Sequence, residues 1–140
     1  MRLLFIVITF FWCSLAVANY GHVVVDEVTS VYDGDTFRVN INAWPPIVGE
    51  RAPIRLRGAD TPELRAQCDA EKKLARKAKQ FTVEALRSAK VIELRDIDRG
   101  KYFRIVADVY VDGESLAKQL IDNSLAVPYS GGTRINWCDL

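Results

Sequence analysis

The feature that most constrains the fold is a single amphipathic helix set between short alternating segments. From Asp69 to Lys90 the apolar residues Leu74, Ala78, Phe81, Ala85 and Ala89 recur at helical spacing, while Lys72, Lys73, Arg76, Lys77 and Lys79 fall largely off that line. Before it, His22 to Val31 and Thr36 to Asn42 favour strand, with Phe37, Val39 and Ile41 alternating against Arg38, Asn40 and Asn42, and Asp33-Gly34 forms the turn between them. Ala43 to Pro53, with Pro45-Pro46 and Gly49, reads as a loop. Ile54-Arg55-Leu56-Arg57 is then a third short strand, and period-two alternation puts its two arginines on one face. After the helix, Val91 to Arg95 and Phe103 to Val111 are two further strands joined through Asp98-Arg99-Gly100. Asp112-Gly113 is a second turn signal, and Glu114 to Asn123 suits a short helix whose buried stripe is Leu116, Leu120 and Ile121. The tail from Ser130 to Leu140 is irregular, held by Trp137 and Cys138.

The order β-β-β-α-β-β-α predicts an α+β, mainly β domain. It suits a five-stranded β-barrel of the oligonucleotide/oligosaccharide-binding (OB) type with one long and one short helix. A chain of 140 residues that is 49% hydrophobic supports one such core and no second domain.

The N-terminus reads differently. Met1-Arg2 is followed by an apolar run from Leu3 to Ala18 ending in Ala16-Val17-Ala18, the layout of a signal peptide with a small-x-small cleavage site. The run falls short of the roughly 20 residues a membrane span needs. Residues 1–18 are therefore expected to be removed, leaving a mature domain of residues 19–140, exported to the periplasm or the medium and not stably membrane-bound. Cys13 leaves with the signal. Cys68 and Cys138 remain, an even pair bound for an oxidising compartment, which favours a disulfide. Closing about 70 residues would contribute roughly 4 kcal/mol. The two cysteines and the distant His22 give no zinc spacing.

Charge does not announce a function. The whole chain carries 19 basic and 18 acidic residues, so loss of Arg2 leaves the mature chain neutral, and a polyanion would have to be held by a local basic site.

Three clusters carry chemistry: Asp33-Gly34-Asp35-Thr36, then Arg55-Leu56-Arg57-Gly58-Ala59-Asp60-Thr61-Pro62-Glu63, then Gly100-Lys101-Tyr102-Phe103-Arg104. Each has a structural explanation when taken singly. Asp-Gly is a common turn, Asp60-Thr61-Pro62-Glu63 has the form of a helix start, and Arg104 beside Tyr102 suits a strand surface. The spacing is not that of an EF-hand, which needs a third oxygen ligand, a glycine and a distal glutamate. Joined in one site, Asp35 and Asp60 with the Thr61 carbonyl make a hard oxygen position suited to Ca2+. Glu63 is suited to activating water, and Arg55 and Arg104 to meeting phosphoryl charge.

In this order the motifs resemble the thermonuclease (staphylococcal nuclease) family, from Tyr32 to Val127. The resemblance implies an OB-type barrel, calcium on Asp35, Asp60 and the Thr61 carbonyl, Arg55 and Arg104 on the phosphate, Glu63 as general base, and Lys101 and Tyr102 at the nucleotide pocket. It implies hydrolysis of the P–O5′ bond of DNA or RNA to leave 3′-phosphate ends; a monomer is expected. Three departures stand out. Phe103 occupies a position where the pattern often has glycine, Arg57 replaces an apolar residue, and the chain ends before the third helix of the best-known member, leaving Trp137 and a Cys68–Cys138 bond to cover the barrel base. A non-catalytic OB module that binds nucleic acid is the other reading. It has no use for this catalytic set and would be expected to carry more stacking aromatics than Tyr102 and Tyr129.

Overall fold

The computed structural model describes residues 20–140; the expected signal segment and Cys13 lie outside the described residues. The strands are β1 (Val23–Val24), β2 (Glu27–Val31), β3 (Thr36–Asn40), β4 (Ala52–Leu56), β5 (Gly58–Asp60), β6 (Ile92–Arg99), β7 (Ile105–Val111), β8 (Glu114–Ser115) and β9 (Val127–Tyr129). The helices are α1 (Pro46–Gly49), α2 (Asp69–Ser88) and α3 (Leu116–Asp122).

The main sheet runs β1-β6-β7-β4-β3-β2. Its two ends are successive pieces of one strand. The Val25 amide donates to the Ile92 carbonyl at 2.9 Å and the next amide, Asp26, donates to Asn40 at 3.0 Å. The chain passes from β6 to β3 between these two residues, which closes the sheet on itself. Taken as one strand, β1 and β2 join β3, β4, β6 and β7 in the expected five-stranded barrel, with β4 and β7 parallel and the other pairs antiparallel. Register shifts at Val28/Ser30 and Arg95/Asp98 supply the bends such closure needs. At the second, Arg57 donates to the Asp96 carbonyl at 2.6 Å and lies 3.8 Å from Asp98. The arginine that departs from the family pattern thus bridges the β6 bulge.

Inside the barrel Phe37, Val39, Ile41, Ile54, Leu56, Leu94, Val109, Leu116 and Leu120 are almost wholly removed from solvent. The alternation read from β3 is the observed one, with Phe37 and Val39 inward and Arg38 out. At Asp112-Gly113 the two residues take φ 50° and 88°, the left-handed pair of a tight hairpin turn, for which glycine is suited. Ala43–Pro53 is more ordered than a loop. Pro46 opens the helical turn α1 at a position where proline is favoured.

The buried line of α2 is Ala75, Ala78, Thr82 and Leu86, one residue round from the expected stripe, with Phe81 and Ala85 at its margin. The cause is close approach. Small residues let the helix settle against the Asp33–Asp35 turn, and the Thr82 hydroxyl donates to the Gly34 carbonyl at 2.7 Å. An apolar count does not find a threonine. The helix begins at Asp69 on a Cys68 cap whose sulfur accepts the Glu71 amide at 3.5 Å, so Asp60-Thr61-Pro62-Glu63 is not a helix start. No helix among the described residues is long and apolar enough to cross a membrane.

Candidate active site

Asp35 sits in the turn between β2 and β3, and Asp60 and Thr61 at the end of β5. Pairing of β4 with β3 and of β5 with β9 brings the two segments together. The Leu56 amide donates to the Asp35 carbonyl at 2.8 Å and the Thr61 amide to Asp35 Oδ2 at 3.0 Å. Gly34 is required here by space: a Cβ on it would lie 2.7 Å from Thr61 Cγ2 and 3.0 Å from the Ala78 Cβ.

Asp35, Asp60 and Thr61 are at most 1% exposed. Buried carboxylates need compensation, and Arg55 supplies it, bonding Asp35 Oδ1 through one nitrogen and Asp60 Oδ1 through the other at 3.0 Å. The Thr36 hydroxyl donates to Asp35 Oδ1 at 2.9 Å. Asp33 stands behind, its Oδ1 accepting the Asp35 amide at 3.2 Å. Burial, then the neighbouring Asp35 charge, push the Asp33 carboxyl up to about 6. Glu71 is also raised, first by desolvation and then by Asp60.

Two buried oxygens of this cluster, Asp60 Oδ2 and Thr61 Oγ1, have no hydrogen-bond partner. Unpartnered buried oxygens beside paired aspartates are what a hard cation would satisfy, and an all-oxygen set suits calcium or magnesium ahead of a softer metal. A second grouping, Cys68, Glu71 and Cys138, has no such capacity. Its sulfurs are joined in the expected disulfide, with S–S 2.09 Å and a sequence separation of 70.

In front of the carboxylates lies a cleft of about 1070 Å³ lined by Arg55, Arg57, Glu63, Lys101, Arg104 and Arg134, among others. Glu63 is half exposed at its edge. The Arg104 side chain has no hydrogen bond or ion pair among the described residues and is free to take a ligand. A smaller cleft of about 610 Å³ adjoins it across Tyr32, Thr36 and Arg104, and Tyr102 lines only this one. The segment before Arg104 is a tight turn, Lys101–Phe103, in which Tyr102 and Phe103 take φ 57° and 59°. This conformation explains why glycine suits position 103. Phe103 meets it with its ring exposed and the Arg99 guanidinium 4.6 Å from its centroid, and the expected strand starts only at Ile105.

The sequence reading missed Arg134. Its guanidinium reaches Asp60 Oδ1 at 2.8 Å, the Thr61 carbonyl at 3.0 Å and Glu63 Oε1. No motif flagged it, because it stands in the irregular tail. Its position follows from Trp137, which is buried, and from Cys138, bonded to the α2 cap.

The structure thus gathers Asp35, Asp60, Thr61, Arg55 and Glu63 within one cluster, sets Arg104 and Lys101 on the same cleft, and leaves Tyr102 at its neighbour. No curated protein matches the chain. The family model described as staphylococcal nuclease homologue matches residues 53–135, more than half of the sequence. With its closed OB-type barrel and its ordered D-G-D-T, D-T-P-E and K-Y-x-R segments, the chain belongs to the staphylococcal nuclease homologue family.

Proposed function

We propose that the protein is an exported, calcium-dependent nuclease that hydrolyses the P–O5′ bond of DNA or RNA and leaves 3′-phosphate ends. The observation that carries this reading is a half-exposed glutamate and an unpartnered arginine on one cleft, with Arg55 joining that cleft to a buried aspartate pair that has an unsatisfied oxygen. A purely binding surface has no need to bury two carboxylates and set a third beside them.

Asp35, Asp60 and the Thr61 carbonyl would hold the calcium ion. When bound, the ion supplies positive charge to the scissile phosphate. Glu63 takes a proton from the attacking water, whose oxygen forms the new bond to phosphorus. The P–O5′ bond breaks, and the departing 5′ oxygen takes up a proton from solvent. Arg104, with no protein partner to give up, meets the charge that grows on the phosphoryl oxygens. Arg55, fixed by both aspartates, presents its remaining edge to the same phosphate. Lys101 on the main cleft and Tyr102 on the adjoining one hold the flanking nucleotide. The basic excess of the cleft, with Arg55, Arg57, Arg65, Lys101, Arg104 and Arg134 against Asp33, Glu63 and Asp108, provides for a polyanion what the neutral mature chain does not.

The test is cleavage of labelled single- and double-stranded DNA and RNA by residues 19–140, with calcium or with chelator. Cutting should require calcium and fall about 100-fold or more in Glu63→Gln and in Arg104→Ala. A folded, disulfide-intact, calcium-loaded protein that cuts no substrate refutes the nuclease reading and leaves a nucleic-acid-binding module.

A further inference from the structure

Arg134 occupies the same oxygens that the cation reading needs. Its Nε lies 2.8 Å from Asp60 Oδ1, one terminal nitrogen is 3.0 Å from the Thr61 carbonyl, and the other bonds Glu63. All three arms of one guanidinium are spent on the proposed ion ligands and the proposed base. Asp60 Oδ1 also takes Arg55, at 3.0 Å, so two arginines crowd one carboxylate oxygen while Oδ2 has no partner.

The tail holds Arg134 there from both sides. Upstream, the Tyr129 hydroxyl donates to the Gly132 carbonyl at 2.9 Å, and Gly131 and Gly132 take φ 105° and 93°, turning the chain back. Downstream, Trp137 is buried and Cys138 is bonded to Cys68. A side chain tethered this closely acts at a high effective concentration.

Resting on the calcium reading of this site, we propose that Arg134 is its built-in counter-cation, which must leave the Thr61 carbonyl and Asp60 when a divalent ion binds and therefore sets the affinity for that ion. Calcium takes oxygens at about 2.3–2.6 Å. An ion on the Thr61 carbonyl with the guanidinium still at 3.0 Å would place two like-signed groups side by side in a partly buried site, where repulsion is strong. Exchange avoids this. The ion takes the carbonyl and the unpartnered Asp60 oxygen, Glu63 is released to meet water, and Arg134 turns into the cleft. The disulfide, by holding the tail over the site, favours the arginine in this competition.

Calcium titration calorimetry without nucleic acid tests the exchange, using the folded 19–140 chain, Arg134→Ala and Arg134→Gln. Glutamine retains a donor for the Thr61 carbonyl and removes the charge. Both variants are expected to bind calcium at least tenfold more tightly than the unsubstituted protein, and the double variant Cys68→Ala/Cys138→Ala to bind more tightly by a smaller factor. Thermal unfolding checks that each is folded. An unchanged or weaker affinity in the folded Arg134 variants overturns the proposal, and does so alone if the unsubstituted protein still cuts with calcium. Calcium binding by none of the proteins sinks this proposal together with the calcium-dependent reading. Binding only by the Arg134 variants supports it.

Discussion

Removing the disulfide between Cys68 and Cys138 is expected to lower stability through the unfolded chain more than through the folded one. The bond closes a loop with a sequence separation of 70, for which loop-entropy reasoning gives about 4 kcal/mol. Unfolding a domain of about 120 residues carries an entropy near 2.1 cal/mol/K per residue, so that loss corresponds to a fall of about 15 °C in the unfolding midpoint. The folded-state loss is the smaller part, and includes the Cys68 sulfur cap on the Glu71 amide, worth about 1 kcal/mol at most. Glu71 stands beside Cys138 Sγ at 3.5 Å, and the half-buried cysteines are replaced by alanines of similar size. Differential scanning calorimetry of the oxidised protein and of Cys68→Ala/Cys138→Ala, both in chelator so that ion binding does not contribute, reads the shift directly. A midpoint that falls by less than about 3 °C refutes the reasoning. It would mean that Trp137 and Arg134 alone hold the tail and that the unfolded chain is already restricted without the bond.

Two other perturbations probe the turn under the site. The Asp33 carboxyl titrates at about 6 in the folded chain against 3.8 for an ordinary aspartate, so its neutral form is favoured by folding; this contribution is present below pH 3.8, is lost as pH rises through 6 and stays lost above it. Asp33→Asn keeps an acceptor for the Asp35 amide without the charge and should be more stable than the unsubstituted protein by up to about 3 kcal/mol at pH 8, with no gain at pH 3.5; urea unfolding that runs parallel for the two across this range would show the burial argument to be wrong. Gly34→Ala should cost about 1–3 kcal/mol, because its Cβ would lie 2.7 Å from Thr61 Cγ2 and 3.0 Å from Ala78 with neither able to withdraw; a loss below about 0.5 kcal/mol in the same assay would mean that the turn shifts freely.

What the sequence disclosed follows the strength of its periodic signals. β3 and α2 each repeat one face several times, and both lie where the pattern put them, with β3 correct in its inward residues. β5 and β9 have three residues each, too few for a period, and their pairing became visible only in space, although it is what sets Asp60 in place. Thr82 was passed over because it is polar, and its value to the fold is one buried hydrogen bond that composition does not reveal. The site was legible for a different reason. Asp35, Asp60, Glu63 and Arg104 stand in ordered motifs, whereas Arg134 owes its position to a disulfide and a buried tryptophan several residues away. The left-handed turn at Tyr102 and Phe103 lies between these cases, since a phenylalanine in a glycine position marked the place without revealing the backbone angle.

The closure of the barrel between Val25 and Asp26 has a consequence for the order in which a nascent chain can fold. The first strand to be synthesised has half of its pairing in β3 nearby and half in β6, where Val23 faces Leu94. It must wait for about half of the polypeptide before its second edge is covered. Vectorial synthesis therefore delivers Asp35, Arg55, Asp60 and Glu63 early, on a barrel that is still open, and delivers Arg104 and Arg134 late. In the growing chain Asp35 and Asp60 have Arg55 for a partner from the start, whereas the second arginine on Asp60, Arg134, joins only after all the barrel strands have been made.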